Sequence, residues 1–230
     1  YPFACPVDFQ TWYYQTVYAN GGYILNEDKT ETGYTDPKTM EGIQCWIDFI
    51  DKGLSPSAAS LAETSADAMF EGNQLAMNFA GSYMVPEYAG NDAIADKIDC
   101  VEIPTFNGVE DNCINGLGYA VYEGSKNKDA AIEFAIWLGS AEAQKIQGET
   151  GVVISARSDA QEYFAKANEA YNLAAYTNHS EEAYPLPVCS VAAELYDMEA
   201  NYLKQAYSGE LTLADACAQL KEEADALLAK

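Results

Sequence analysis

The sequence predicts an α/β fold, because amphipathic helical stripes alternate along it with short, nearly continuous apolar runs. The best signalled helix follows Asp36-Pro37, where Met40, Ile43, Ile47 and Ile50 form a stripe behind a capping acid and a first-turn proline. The clearest strand candidate is Leu75 to Ala80, mostly apolar as expected of a strand covered on both faces, and Gly81 breaks it. Ligands of open α/β sheets sit at the carboxyl ends of strands, so Gly81-Ser82-Tyr83 is the first place to look for a site.

The remaining elements follow in order. Asp8 to Asn20 carries Trp12, Val17 and several tyrosines at helical spacing, and Asn20-Gly21-Gly22 supplies a left-handed stop. Tyr23-Ile24-Leu25 reads as a short strand and Leu54 to Thr64 as a loop. Ser65 caps a brief helix, Ala66 to Glu71, which Gly72-Asn73 ends. Met84 to Gly90 is irregular or a single helical turn. Asp99 to Ile103 is a strand closed by Pro104, Thr105 to Asn112 a loop around Asn107-Gly108, and Cys113 to Tyr122 the partner strand. Gly116 and Gly118 inside that strand mark a bulge or a close approach by a ligand or another backbone. A helix with Ala131, Phe134, Ala135 and Leu138 on one face begins after Ser125, and Ser140 caps the next. Val152-Val153-Ile154 is extended, Ser158-Asp159 opens a helix, and Asn178 to Pro187 is a loop. Two helices close the chain, from about Val191 to Tyr207 and along Leu213, Cys217, Leu220, Ala224 and Leu227.

Composition removes several function classes. Twelve basic against 36 acidic residues give a formal charge of -24, which repels phosphate backbones and anionic lipid surfaces, so nucleic acid and membrane surfaces are not expected partners. The same acidity serves solubility or attracts a cationic ligand. No run of 18 apolar residues exists to span a membrane. The chain starts at Tyr1 with neither methionine nor signal peptide, as expected of a terminus that was cut or never included. Six cysteines without a C-x-x-C, and a single histidine, do not make a zinc site. Cys45 and Cys217 fall on apolar helix faces as buried thiols. Cys100 and Cys113 flank the expected hairpin and are the one pair considered for a disulfide.

Catalytic motifs are missing. There is no G-x-S-x-G elbow, H-E-x-x-H helix or Walker loop, and Gly116-Leu117-Gly118-Tyr119 lacks the third glycine of a dinucleotide fingerprint. With 36 acids, a carboxylate pair can be drawn anywhere and carries no information. His179 reads as a solvated loop side chain, and Asn178-His179-Ser180 matches a glycosylation acceptor by pattern alone. No cofactor, metal or catalytic residue is expected. The aromatic content does speak: 17 tyrosines exceed 8 phenylalanines and 3 tryptophans. Tyrosine joins a flat apolar face to a polar tip, which suits the C–H faces and hydroxyl rims of sugars. A single tyrosine more simply finishes the edge of a core, except where it follows a strand-ending glycine, as Tyr83 does.

The succession Tyr18-Ala19-Asn20-Gly21-Gly22, Gly53-Leu54-Ser55-Pro56, then Phe70 to Met77 with Gly81-Ser82-Tyr83, resembles the extracellular solute-binding proteins of ABC sugar importers, the maltose-binding-protein-like group. It continues through Ile103-Pro104-Thr105, Gly116 to Val121, Ser125 to Ala131 and Gly151 to Arg157. Each piece is loose, and their order over most of the chain is specific. The resemblance implies a periplasmic-binding-protein-like fold of the class II type, with two α/β lobes joined by hinge strands that close on a carbohydrate and present it to permease subunits. Its residue after the Gly-Ser break stacks on sugar, which carries to Tyr83 beside Ser82. Asp8, Trp12, Gly116 and Leu117 would face the cleft, Arg157 matches a position near the ligand, and Tyr196 is similar to another cleft aromatic, with Glu194 on the same helix as its substitute.

By the same resemblance, residues 1–112 and 160–230 form a largely complete C-terminal lobe. Residues 113–159 are a hinge-crossing segment that packs with an N-terminal lobe whose leading units, signal and lipid anchor this chain does not carry; Cys5 is not that anchor. The helix with Phe134 and Leu138 is then expected to leave an apolar patch exposed and prone to self-association. The function implied is binding of an oligosaccharide outside the cell, as a cell-surface lipoprotein or in the periplasm, without catalysis. The alternatives are binding of a cationic solute such as a polyamine, and an enzyme acting on glycans.

Overall fold

The computed structural model describes residues 1–109, 112–181 and 183–230. Side-chain caps set most of the helix starts. The Asp8 carboxylate accepts from Thr11 N–H and opens a π-helical turn, Phe9–Tyr13, that runs into α1 (Tyr14–Ala19). Asp36 accepts from Lys38 and Thr39 N–H at the head of α2 (Pro37–Asp51). Ser57 and Ser65 cap α3 (Ala58–Glu63) and α4 (Ala66–Glu71). A 3-10 turn, Ser82–Met84, leads into α5 (Val85–Ala89), and β1 (Cys113–Ile114) follows. Then come α6 (Lys128–Leu138), α7 (Ala141–Glu149) capped by Ser140, and α8 (Gln161–Ala165) behind the 3-10 turn Ser158–Ala160. A further 3-10 turn, Leu173–Tyr176, precedes β2 (Tyr184–Pro185), which pairs with β1 in a two-stranded sheet. α9 (Ala192–Tyr207) and α10 (Leu213–Leu228), the latter capped by Thr212, close the chain. The fold is a helix-rich α/β.

The helices follow the expected pattern, while three expected strands, Tyr23–Leu25, Leu75–Ala80 and Asp99–Ile103, do not form and a fourth is cut short; Leu25 keeps only an isolated bridge to Thr32. Leu75 to Ala80 runs extended, with Ala76 N–H on Tyr1 O at 3.0 Å and Met77 N–H on Pro2 O at 2.9 Å. Leu75 is buried, while Ala76 and Met77 are both exposed, so the segment is not covered on both faces as expected. Asp99 to Ile103 is likewise irregular, and of Cys113 to Tyr122 only Cys113–Ile114 is strand. An apolar run becomes a strand only when a neighbour takes up its N–H and C=O groups in a continuous ladder, and the bonds from Ala76 and Met77 to the first two residues are too few to make one. Leu54 to Thr64 was expected as loop; it contains α3, which Ser57 nucleates by accepting from Ser60 N–H at 3.2 Å. Asn107-Gly108 does turn the chain, both at positive φ, between the bridged residues Phe106 and Val109. Within the expected loops Thr105–Asn112 and Asn178–Pro187, residues Glu110, Asp111 and Glu182 lie outside the described residues.

The chain divides into two compact units. The first holds Tyr1–Phe79, Ile103–Cys113 and Glu182–Lys230; the second holds Ala80–Glu102 and Ile114–Glu181. The first unit's core joins Tyr13, Tyr14, Val17, Tyr34, Ile43 and Trp46 to Leu195, Leu203 and Leu220. α1 lies against α2 at Gly42, where an added Cβ would sit 2.7 Å from the Val17 backbone. Thr16 Oγ1 donates to Gly42 O at 2.6 Å there and accepts from Trp46 Nε1 at 2.9 Å. Lys221 on α10 ties in the segment before α2 through Glu31 and Thr32 O, both at 2.7 Å, while Asp225 accepts from Thr32 N–H.

The second unit is built on Val85, Phe164, Tyr171 and Leu173. Its α7 is held by a buried bond from Ser155 Oγ to Gln144 at 2.7 Å. α6 buries no residue. Phe134 is 58% and Ile136 71% exposed, and Phe134 stacks on Trp137 at 5.8 Å. The apolar face expected at Phe134 and Leu138 is thus open, and it forms a groove with Gly118 to Tyr122. All six cysteines are free thiols, so the Cys100–Cys113 disulfide is not made. Cys217 is buried as expected, Cys45 only half-buried, and burial pushes both up to about 12.

Candidate functional site

The expected site residues fall into two groups, one on each unit. In the second unit, Gly81 is extended and caps the 3-10 turn that begins at Ser82. The Tyr83 ring folds back onto Gly81, where an added Cβ would sit 2.2 Å from its Cε1, so the glycine leaves room for the ring. That ring is 65% exposed. It lies within electrostatic reach of Tyr176, whose phenol burial drives upward and whose ring packs edge-on against Phe164 at 6.1 Å. Tyr83 therefore offers an aromatic ring to solvent beside Gly81.

Gly116 and Leu117 lie in extended chain, with nothing within 4 Å of where a Gly116 Cβ would sit and Leu117 85% exposed. Packing does not require that glycine. Arg157 is turned onto Asp159 in a bidentate pair, Nε–Oδ1 at 2.9 Å and Nη2–Oδ2 at 2.7 Å. The pair holds the Asp159 carboxyl below its usual range. A guanidinium carries five donors and this pair occupies two, which leaves the others for a ligand.

In the first unit, Asp8 spends one carboxylate oxygen on capping, accepting from Thr11 N–H at 3.2 Å, and its other oxygen is free of that duty. Trp12 is buried, its indole donating to Ala4 O at 3.2 Å, so its ring belongs to the core. Tyr196 stacks on Phe9 at 4.5 Å with planes 12° apart, and its hydroxyl donates to Pro187 O at 2.8 Å. Glu194 is exposed in the first turn of α9. Phe9, Tyr196 and Asp8 thus meet at the π-turn, with Tyr18 packed on Tyr184 at 4.1 Å in the same unit.

Two residues here were not singled out from the sequence. Phe9 gave no signal beyond its adjacency to Asp8. Glu199 did: it occupies the apolar stripe Leu195, Glu199, Leu203 of α9 at i, i+4 spacing, where an acid is out of place. It is wholly buried and accepts from the hydroxyls of Tyr13, Tyr14 and Tyr34. Among the described residues there is no group of three side chains fit to hold a metal ion, and no helix long and apolar enough to cross a membrane.

Residues 6–145 match the family described as bacterial extracellular solute-binding protein. Among curated proteins none matches the chain. Solved structures do. One is an ABC substrate-binding protein from Listeria monocytogenes in complex with cycloalternan, with a TM-score of 0.81 at 19% identity. Another is the GacH receptor of Streptomyces glaucescens, solved unliganded and with acarbose, with a TM-score of 0.81 at 20% identity. A third is the cyclic α-maltosyl-1,6-maltose binding protein of Arthrobacter globiformis, with a TM-score of 0.74 at 21% identity. Each covers 99% of this chain, and this chain spans 59% of each of theirs.

Proposed function

We propose, from the premise that this chain belongs to the bacterial extracellular solute-binding protein family, that it binds an oligosaccharide and hands it to the permease subunits of an ABC transporter. The observation that carries this reading is that the structural neighbours are named for, or solved with, cyclic or maltose-like sugars and acarbose. Tyr83 supports it: an exposed ring beside a glycine is a stacking platform for a sugar face. Ser82, Asp8, Glu194 and the spare donors of Arg157 supply polar partners for hydroxyls, and Tyr196 lies at the π-turn beside Asp8, with Trp12 buried behind that turn. Gly116 and Leu117 supply backbone that a ligand can approach closely. The protein is read as a carrier without catalysis, located outside the cell at the surface or in the periplasm. Residues 1–112 and 160–230 are assigned to one lobe and 113–159 to a segment shared with a second.

The formal charge of -24 favours a second reading, a cationic solute such as a polyamine. A thermal-shift screen separates the two, because a ligand of the folded state raises its melting point. Maltotetraose is expected to raise it and spermidine to leave it unchanged at 0.15 M salt. A rise with spermidine that fades with added salt, and none with any sugar, would overturn the carbohydrate reading.

A further inference from the structure

The turn Phe9–Tyr13 is π-helical, with Tyr13 N–H reaching back to Asp8 O at 3.5 Å and Tyr14 N–H to Phe9 O. Wide turns of this kind are rare and concentrate at functional sites. Their geometry has a consequence for neighbouring side chains: more residues per turn means a smaller angle between successive ones. Here successive residues, Tyr13 and Tyr14, converge on one carboxylate. Tyr13 donates to Glu199 Oε2 at 2.8 Å, and Tyr14 to Oε1 at 2.8 Å and Oε2 at 3.0 Å. Tyr34, from the segment before α2, donates to Oε1 as well.

No lysine, arginine or histidine acts on Glu199; burial and the three hydroxyls are the influences on it. The other titratable groups around the cluster are Tyr18 on α1, Tyr196 and Tyr207 on α9 and Cys217 on α10, and every one is neutral near pH 7. Three O–H dipoles alone offset the charge. An ionised carboxylate has acceptor sites for all of them. Once protonated it becomes a donor itself, so the three tyrosine hydroxyls compete for fewer lone pairs and the bonds that hold the turn weaken.

We infer that Glu199 is a positioning residue for solute binding: through Tyr13 and Tyr14 its buried carboxylate holds the π-turn in the form that sets Asp8 and the Phe9–Tyr196 stack at the first unit's surface. This rests on the reading that Asp8 and its neighbours contact the solute. Burial pushes the Glu199 carboxyl up to about 7, so its two states are both reachable under mild conditions.

The test follows the amide proton shifts of Tyr13 and Tyr14 by NMR between pH 5.5 and 8.5 in this chain, Glu199→Gln and Tyr34→Phe, with maltotetraose affinity measured alongside by calorimetry. In the wild-type chain both amides should move with one shared inflection near pH 7. Tyr34→Phe, which removes a donor to the ionised form and leaves the turn's own two bonds, should move that inflection to higher pH. Glu199→Gln should abolish it and weaken maltotetraose about tenfold, the effect of one buried donor left unmet. Amides that do not titrate, or an inflection that survives in Glu199→Gln, would overturn the role of Glu199. If Glu199→Gln does not fold, the direction of the Tyr34→Phe shift decides. Maltotetraose binding that is equal in wild type and variants overturns the positioning claim and leaves the binding reading intact. Titrating amides with no sugar bound by wild type at any pH overturn the binding reading and leave the hold on the turn standing.

Discussion

Replacing Gly42 by alanine should destabilise the first unit by roughly 2–4 kcal/mol, although alanine is the better helix former. A Cβ at position 42 would lie 2.7 Å from both N and Cα of Val17 and 2.8 Å from Thr16 C, all backbone atoms that cannot swing aside. Ordinary carbon contacts begin near ~3.5 Å, so α1 and α2 must part by about 0.8 Å. That separation stretches Thr16 Oγ1 to Gly42 O from 2.6 Å and disturbs the Trp46 indole bond to the same hydroxyl at 2.9 Å. Two hydrogen bonds at about 1 kcal/mol each and overpacking at about 1–3 kcal/mol stand against a helix-propensity gain of about 1 kcal/mol. Urea unfolding followed by tryptophan fluorescence reads the effect directly, since Trp12 and Trp46 both sit in that core. Thr16→Val should cost less in the Gly42→Ala background than in wild type, because the alanine has already weakened the bonds it removes. A neutral Gly42→Ala, or one stabilised by about 1 kcal/mol, would show that the helices do not approach this closely.

Tyr83→Ala should weaken maltotetraose binding at least tenfold by calorimetry, on the scale of about 1.4 kcal/mol for one lost ring contact, while leaving the melting point within error; unchanged affinity would make the ring an edge residue only. Stability should also depend on pH through Glu199, whose folded carboxyl titrates near 7 against 4.5 for an ordinary glutamate. The native state holds the extra proton between those values, so the stability from this group is fully present below about pH 4.5 and falls by roughly 3 kcal/mol on the way to pH 7. Glu199→Gln should flatten that interval in a series of urea midpoints. Asp225 and Glu162, held low by lysine partners, act in the opposite sense below that window. Finally, the wild-type chain should bind an apolar fluorescent dye through α6, and Phe134→Asp should cut the signal without loss of helix content by circular dichroism.

Helix starts were legible because capping is local: Asp36, Ser65 and Ser140 each act on an N–H within three residues, and the sequence contains everything that decides the bond. Strands were not, because Leu75–Ala80 and Asp99–Ile103 need distant partners that no local pattern names. α3 was missed for a related reason, since its Ala-Ser-Leu-Ala run carries no stripe and Ser57 alone starts it. The exposure of Tyr83 was legible through its glycine, a local steric demand. Trp12 was expected at the cleft through the resemblance and is instead buried, its indole donating to Ala4 O, a contact that no local pattern names.

The buried thiols bear on how the protein survives an oxidising setting. Cys5, Cys45, Cys113 and Cys217 are each pushed up to about 12 by burial. At pH 7 roughly one molecule in 10⁵ holds a given one of them as thiolate, and exchange and peroxide attack both run through the thiolate. Such sulfurs exchange more slowly than exposed thiols. Folding thus shields Cys5 and Cys217 most fully, and loss of that shielding is an early chemical report that the first unit has opened.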